Sequence, residues 1–403
     1  MCLGISYNIS MNINRIYLGT WLPRTSIHLK EIYHFFKSGS GIDLDQNKLG
    51  YLKKQLNIKN LVFNNNSDFD SVKFSSENIT TTITEDGIIL IMLSHVIDIN
   101  ADIKKIESFY INQLGPGLAY LFSRGAPLPQ TLLNIKEVYP KILVGQSIAP
   151  KEAEEYLKDR GDEFLAEISS DKLVIFYGQE SELVDISNVM VQQNYSEFLD
   201  ILFTYTIFIR SFSDLLERYL KLHRSVWTEI SSIRENTNLR YSDFTIIRNK
   251  ILDILKTISF IRARLQQMVG ILSIRNAAAS EECKQKLSAL GLNRFLTLEK
   301  SSQYMDNLWQ MTADYGNSTM TLFESLLEEN TQREIRLLQQ ITMIGVMVGF
   351  FGMNIAFPWE DRWPNIFTSS FIVVGVIILI LGVFYLFVKK MIMNRRFVVE
   401  NKK

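Results

Sequence analysis

Few residues in this 403-residue chain are placed to do chemistry. Its four histidines, His28, His34, His95 and His223, are scattered, and Cys2 and Cys283 lie far apart. Neither type forms a metal-ligand spacing or a disulfide framework. No nucleophile motif and no strand-to-helix phosphate loop appears, so neither an enzyme nor a nucleotide site is expected. What remains is Gly352-Met353-Asn354. Asn354 offers a neutral amide oxygen where a charge-free helix ends, beside terminal carbonyls that lack helical partners. A small, hard dication dehydrates reluctantly and keeps several waters. A ring of amide and carbonyl oxygens accepts hydrogen bonds from those waters without stripping the ion, whereas fixed carboxylates there would hold a dication too tightly to release it. Glu360 and Asp361 follow shortly after. They either concentrate cations at an entrance or are ordinary solvated loop charges.

The elements that carry these residues are legible from charge. Leu337 to Trp359 contains no charged side chain, and neither does Trp363 to Val388. Each is long enough to cross a hydrocarbon core of roughly 30 Å as a helix. The short loop Ile355–Arg362 joins them, so a helical membrane hairpin is expected near the C-terminus. Lys389, Lys390, Arg395, Arg396, Lys402 and Lys403 follow the second segment, and Arg333 and Arg336 precede the first. The positive-inside rule then places both termini in the cytoplasm, with Trp359 and Trp363 at the outer interface.

Two spans cannot enclose a water-filled path, so a conducting path requires several copies around an axis. A seam repeating about every 3.5 residues should mark the axis-facing helix. Stepping back from Gly352 gives Gly349, Gly345, Thr342, Leu338, Ile335, Thr331, Glu328 and Glu324. The stripe is small and polar in the membrane, apolar at Leu338 and Ile335, then polar and acidic. That order suits an ion path with a dry gate at its inner end. Gly345-x-x-x-Gly349 equally suits close helix packing. Both readings stay open at this point.

Upstream, signals alternate to about Val191. Tyr17–Leu22 reads as a strand and Ser26–Lys37 as a helix. Thr80–Thr84 and Ile88–Leu93 read as a hairpin turning at Glu85-Asp-Gly87, with the second strand central because both its faces are apolar. Ile142–Val144 and Leu173–Tyr177 are further strands, and Pro150 opens a helix. Leu114–Gly117 and Arg124–Pro129 read as loops. Alternation of this kind implies an α/β domain. From Ser196 the strand signals stop. Phe198, Leu202, Tyr205, Ile209, Phe212, Leu216 and Tyr219 recur at helical spacing. Ile201–Ile209 is too short to span and reads as a buried helix face. Further helices are expected from Ser242 to about Ile274 and over Ala277–Leu290. A last one begins near Leu298 or Ser301 and, if unbroken to Gly352, runs about 75 Å as a stalk into the first span.

Phe351-Gly352-Met353-Asn354 at the exit of the first of two C-terminal spans, followed by a short acidic and aromatic loop, resembles the CorA-type magnesium transporter family, whose signature is Gly-Met-Asn. The resemblance is specific over about residues 337–390 and architectural elsewhere. It implies a homopentamer whose stalk and first span line a central pore, with Gly352, Met353 and Asn354 at the outer mouth and Asn354 contacting hydrated Mg²⁺. It also implies cytoplasmic divalent-ion sites that close the pore when internal Mg²⁺ is high. The chain departs from the family in Ile355 and Phe351, in the lack of a proline within the first span, and in Thr331 and Glu334 on the stalk.

The expected architecture is thus an α+β membrane protein. A cytoplasmic α/β domain covers 1–195, helices and stalk 196–336, the pore-lining span 337–354, the outer loop 355–365, the second span 366–388 and a basic cytoplasmic tail 389–403. The expected role is passive inward Mg²⁺ flux through a homopentamer in the cytoplasmic membrane. Its partners are the bilayer and other copies of the chain. Mg²⁺ is substrate and regulatory ligand, with no organic cofactor. Equal numbers of acidic and basic residues, 43 each, give no basic balance that would suggest nucleic acid. Alternatives are a Zn²⁺, Co²⁺ or Ni²⁺ transporter of the same superfamily, or a membrane-anchored scaffold without transport. Spans free of Cys and His favour a hard cation.

Overall fold

The computed structural model describes residues 11–22, 28–41, 44–65, 69–122, 139–169, 173–178, 180–187, 195–235, 238–353 and 396–398. Asn354, Glu360, Asp361, the outer loop, the second span and the tail apart from 396–398 lie outside the described residues, as does the expected loop Arg124–Pro129. The chain divides into two compact units: Met1–Lys221 with Phe260–Leu308, and Leu222–Ser259 with Trp309–Lys403.

The first unit is built on a nine-stranded sheet. Its strands are β1 (Asn12–Trp21), β2 (Lys59–Asn64), β3 (Ser71–Ser76), β4 (Ile79–Thr84), β5 (Ile88–Ser94), β6 (Lys141–Gln146), β7 (Phe164–Ser169), β8 (Val174–Gly178) and β9 (Ser181–Asp185). They lie in the order β2-β3-β4-β5-β1-β6-β9-β8-β7. The expected hairpin is β4–β5, with Gly87 at φ 94°, a conformation that favours glycine. As expected, β5 is interior, paired to β4 and β1.

The alternating strands and helices do not produce a parallel sheet. Only β6 and β9 run parallel, and every other neighbouring pair is antiparallel. Short turns such as Glu77-Asn78 leave no room for a helical crossover, which a parallel pair requires. The strands β2, β3, β7 and β9 were not expected from the sequence.

Both faces of the sheet are covered, and β1 shows why. Ile16 and Leu18 join one apolar cluster with α1 (Leu29–Ser38), α2 (Gln46–Leu56), α3 (Ile99–Phe109) and α4 (Gly115–Leu121). The intervening residues turn to the other face, where α6 (Tyr195–Arg234) packs. Tyr17 sits 4.7 Å from Phe203, and Trp21 stacks 5.4 Å from Phe212. Between them a Cβ at Gly19 would come within 2.3 Å of Ile207, so only glycine admits the helix this closely. Burial raises the Tyr17 hydroxyl to about 12, and Asp200 nearby adds to the shift.

Two ion pairs tie the helices to this face. Glu182 on β9 meets Arg210 on α6, and Asp86 in the β4–β5 turn meets Arg275 on α7 (Tyr241–Ala278). Burial pushes the Glu182 carboxyl up, against the opposing pull of the Arg210 charge. Arg275 is only 2% exposed and is ringed by Phe69, Tyr205 and Phe208.

The expected loop at Leu114–Gly117 is instead helical. A π-helical turn, Tyr110–Leu114, leads directly into α4. Pro116 follows directly on this turn and, lacking an N–H, cannot continue the backbone ladder there. A Cβ at Gly115 would approach the Tyr110 carbonyl oxygen to 2.9 Å, so glycine accommodates the wide turn. The expected helix at Pro150 is α5 (Pro150–Asp159). The expected helix at Ala277–Leu290 starts later, as α8 (Glu281–Ala289), because Ser280 caps it through the Cys283 amide at 3.2 Å. On α6, Leu202, Tyr205, Ile209, Phe212, Leu216 and Tyr219 are buried as the spacing predicted, but Ile201 is exposed.

The last long helix, α9 (Phe295–Met353), starts three residues earlier than Leu298 and is unbroken over 59 residues. In the second unit it packs with the distal half of α6 and the proximal half of α7. Trp227 stacks on Tyr315 at 4.7 Å, Arg234 lies 5.0 Å from the Tyr315 ring centre, and Phe244 meets Phe323 edge-on at 5.8 Å. The strands β10 (Asn238–Arg240) and β11 (Arg396–Val398) form a separate two-stranded ribbon.

Candidate functional site

Burial divides α9 into faces. Phe295, Leu298, Ser302, Met305, Trp309, Thr312, Gly316, Thr319 and Phe323 are all buried. They recur at alternating steps of three and four, a seam of about 3.5 residues per repeat. Within the second unit this seam meets α6 and α7. His223 Nε2 lies 2.7 Å from Thr312 Oγ1 and its ring meets Trp309 edge-on at 5.3 Å. A Cβ at Gly316 would come within 3.0 Å of Leu255 and 3.6 Å of Ile230.

The stripe found from the sequence has the same repeat and a different phase. Glu324, Glu328, Thr331 and Ile335 are displaced roughly 120° around the helix from Gly316, Thr319 and Phe323, at about 100° per residue. All four are exposed, as are Leu338, Thr342, Gly345 and Gly349. Ile335 is 49% exposed and Leu338 62% exposed, so neither apolar position is filled by packing among the described residues. Ile335, Leu338, Gln339, Thr342, Met343 and Val346 line a shallow, open groove.

The two glycines of the stripe are informative beside Gly316. A Cβ at Gly345 or Gly349 would meet nothing within 4 Å. Close packing within the chain therefore explains Gly316 and, among the described residues, does not explain Gly345 or Gly349. We predict that Gly316→Leu destabilises the isolated chain by about 1–3 kcal/mol through overpacking. Gly345→Leu should leave its thermal unfolding unchanged while altering assembly. Melting curves and native masses of the two variants check this, and equal melting losses would contradict the division of faces.

The polar groups of the stripe present acceptors outward. The Thr342 hydroxyl donates to the Leu338 carbonyl at 2.8 Å, and the Thr331 hydroxyl to Leu327 at 3.0 Å. Each proton is spent within the helix, which leaves oxygen lone pairs for a hydrated ion. Beside the stripe, Glu329 pairs with Arg333 at 2.6 Å and Glu334 accepts from Asn330 at 3.3 Å. Among the described residues Glu324 and Glu328 make no ion pair, so their charge is open to solvent. Gly352 and Met353 close the described part of α9, and Asn354 is the next residue.

Among the described residues no group of three or more His, Cys, Asp or Glu is arranged to hold a metal ion. No described helix is long and apolar enough to cross a membrane. The described part of the charge-free segment, 337–353, is shorter than the roughly 20 residues that a crossing needs. The sequence reading missed the buried seam of α9, because Ser302, Thr312, Gly316 and Thr319 interrupt its apolar pattern. The 3.5-residue spacing was the available signal.

No family model matches the chain. No curated protein matches it. Among solved structures it is similar to the complete structure of the CorA magnesium transporter from Methanocaldococcus jannaschii, at 14% identity over 63% of this chain and 92% of that one. The TM-score is 0.27, too low for that likeness to support an argument about fold or function.

Proposed function

We propose that the chain is one subunit of a homo-oligomeric divalent-cation channel that passes Mg²⁺ inward down its gradient. Five copies surround a pore lined by the stripe of α9. Residues 1–195 and 196–336 are cytoplasmic, 337–354 and 366–388 span the membrane, 355–365 is the outer loop and 389–403 a cytoplasmic tail. Asn354 and the Gly352 and Met353 carbonyls form the mouth, and Glu360 and Asp361 gather cations in front of it. No bond is made or broken, so the protein is not an enzyme. Mg²⁺ is cargo and, from the cytoplasmic side, regulator.

The observation that carries this reading is the face of α9 on which the stripe lies. Acid, apolar, threonine and glycine positions succeed one another at the seam spacing, all of them exposed, on one unbroken helix leading to Gly352-Met353, and at Glu324 to Ile335 they are out of phase with the buried seam that ends at Phe323. Another copy's equivalent face is the natural counterpart of Gly345 and Gly349, since small residues let helices approach closely in a membrane. The oxygen-only polar set suits a hard, hydrated cation.

The test is Mg²⁺ flux into liposomes containing the purified protein, with Co²⁺, Ni²⁺ and Zn²⁺ as competing ions, together with native mass spectrometry. Five copies and saturable Mg²⁺ entry are expected. A monomer or dimer, or no divalent flux, overturns the proposal, and flux of Zn²⁺ alone reassigns the cargo.

Leu338 and Ile335 form the gate in this reading. In a symmetric assembly each makes an apolar ring, and a strongly hydrated dication crosses a narrow apolar ring poorly. Leu338→Ser or Ile335→Ser is expected to raise Mg²⁺ leak at high internal Mg²⁺ by about tenfold or more. Unchanged leak in both variants would place the constriction elsewhere on α9.

A further inference from the structure

The two edges of the nine-stranded sheet carry opposite charge. β2 ends the sheet on one side and β7 on the other. At the β2 edge, α1 packs over β2 and β3, and α2 packs on α1. Over the described part of 29–64 the exposed charges are Lys30, Lys37, Lys48, Lys54 and Lys59 against Asp45 alone. Asp45 is already engaged, since it caps α2 through the Asn47 amide at 2.9 Å. At the other edge, α5 packs over β7 and β8. Here Glu152, Glu154, Glu155, Asp159, Glu163 and Glu167 are exposed and outnumber the exposed Lys151 and Lys158. Leu157 of α5 joins the same apolar cluster as Phe35 of α1 and Leu49 of α2, so both charged ends lie on one face of the sheet.

Neither end answers the other within one chain. Nine strands spaced at about 4.8 Å put the two edges roughly 38 Å apart. Salt screens charge over roughly 8 Å at physiological ionic strength. Among the described residues none of the five lysines is in an ion pair. The two edges are also shaped alike. The β2–β3 ladder shifts register between Lys59 and Val62, and the β7–β8 ladder between Phe164 and Ala166. Irregularities of this kind keep an edge from accepting a further strand, which leaves contact to the side chains. Val62 and Leu165 are exposed apolar residues at these two points.

On the homo-oligomeric reading above, on which this rests, we propose that the β2 edge of one copy docks on the β7 edge of the next. Lysines of the first copy meet carboxylates of the second, with Val62 and Leu165 at the centre of the contact. Such a contact joins unlike surfaces, and repeated around an axis it closes a ring.

Cysteine cross-linking reads the contact in the full chain in mild detergent. Val62→Cys and Leu165→Cys are introduced together on a Cys2→Ser, Cys283→Ser background and treated with a short bismaleimide. Products larger than a dimer are expected, because each copy offers both edges, and either cysteine alone should give almost none. Lys54→Glu with Lys59→Glu is expected to lower the yield about tenfold or more, since like charges then face each other. Adding Glu163→Lys and Glu167→Lys should restore it. Products from a single cysteine in the yield of the pair would show that like edges meet, which overturns the contact. A yield indifferent to the reversed lysines, or not restored by the exchanged charges, overturns it too. No cross-link in a chain that native mass spectrometry finds oligomeric sinks the contact and leaves the channel reading standing. A monomer sinks both, and cross-linked multimers without divalent flux sink the channel and keep the contact.

Discussion

Asn354→Ala is expected to reduce Mg²⁺ flux to background while leaving insertion and oligomer size unchanged. The described part of α9 carries the acceptor stripe up to Gly352 and Met353, and Asn354 is the next residue. It is the only side-chain amide between Gln340 and Asn365. Alanine deletes one acceptor per subunit from the place where, on the proposed reading, the hydration shell is recognised. Mg²⁺ keeps its inner waters, so the loss falls on hydrogen bonds to those waters. The measurement is initial Mg²⁺ entry into liposomes, normalised to inserted protein. Normal entry by a well-inserted Asn354→Ala protein would remove Asn354 from the mouth of the proposed channel.

Arg210→Leu is the substitution expected to cost the most stability. Glu182 is 1% exposed beneath the sheet-facing side of α6, and Arg210 is its ion-pair partner. Arg210 also donates from Nη2 to the Gly178 carbonyl at 2.9 Å. Removing one partner of a buried pair strands the other, at a cost of about 3–5 kcal/mol. The pH dependence has a definite sign. Burial raises the Glu182 carboxyl, and the Arg210 charge and hydrogen bond lower it. Without Arg210 only the raising influence remains, so the folded state holds the proton more tightly than the unfolded one. Stability is then greatest below the ordinary carboxylate range and falls as pH rises through the raised folded value. The gap in melting temperature between the variant and the unaltered protein should narrow toward pH ~4 and widen toward neutrality. Glu182→Gln added to Arg210→Leu should recover most of the loss at neutral pH. A gap independent of pH would show that Glu182 is not the stranded charge.

Sequence alone determined what depends on local chemistry. The β4–β5 hairpin was legible because a glycine turn separates two strand-forming runs. The buried face of α6 was legible because Leu202, Tyr205, Ile209, Phe212, Leu216 and Tyr219 recur at helical spacing. The α9 stripe and the charge-free segments were legible because charge and spacing are properties of the chain itself. Sheet order was not, since pairing depends on which edges meet. β9 lies beside β6, which it follows by 35 residues, and no local signal encodes that neighbour. The ion pairs Glu182–Arg210 and Asp86–Arg275 were equally hidden, since each joins residues from separate elements that become neighbours only when helices cover the sheet. The face of α9 was decided in the same way. Gly316, Gly345 and Gly349 look alike in sequence, but among the described residues only Gly316 lies against neighbouring side chains. A glycine's role depends on what approaches it, and that is fixed when the helices pack.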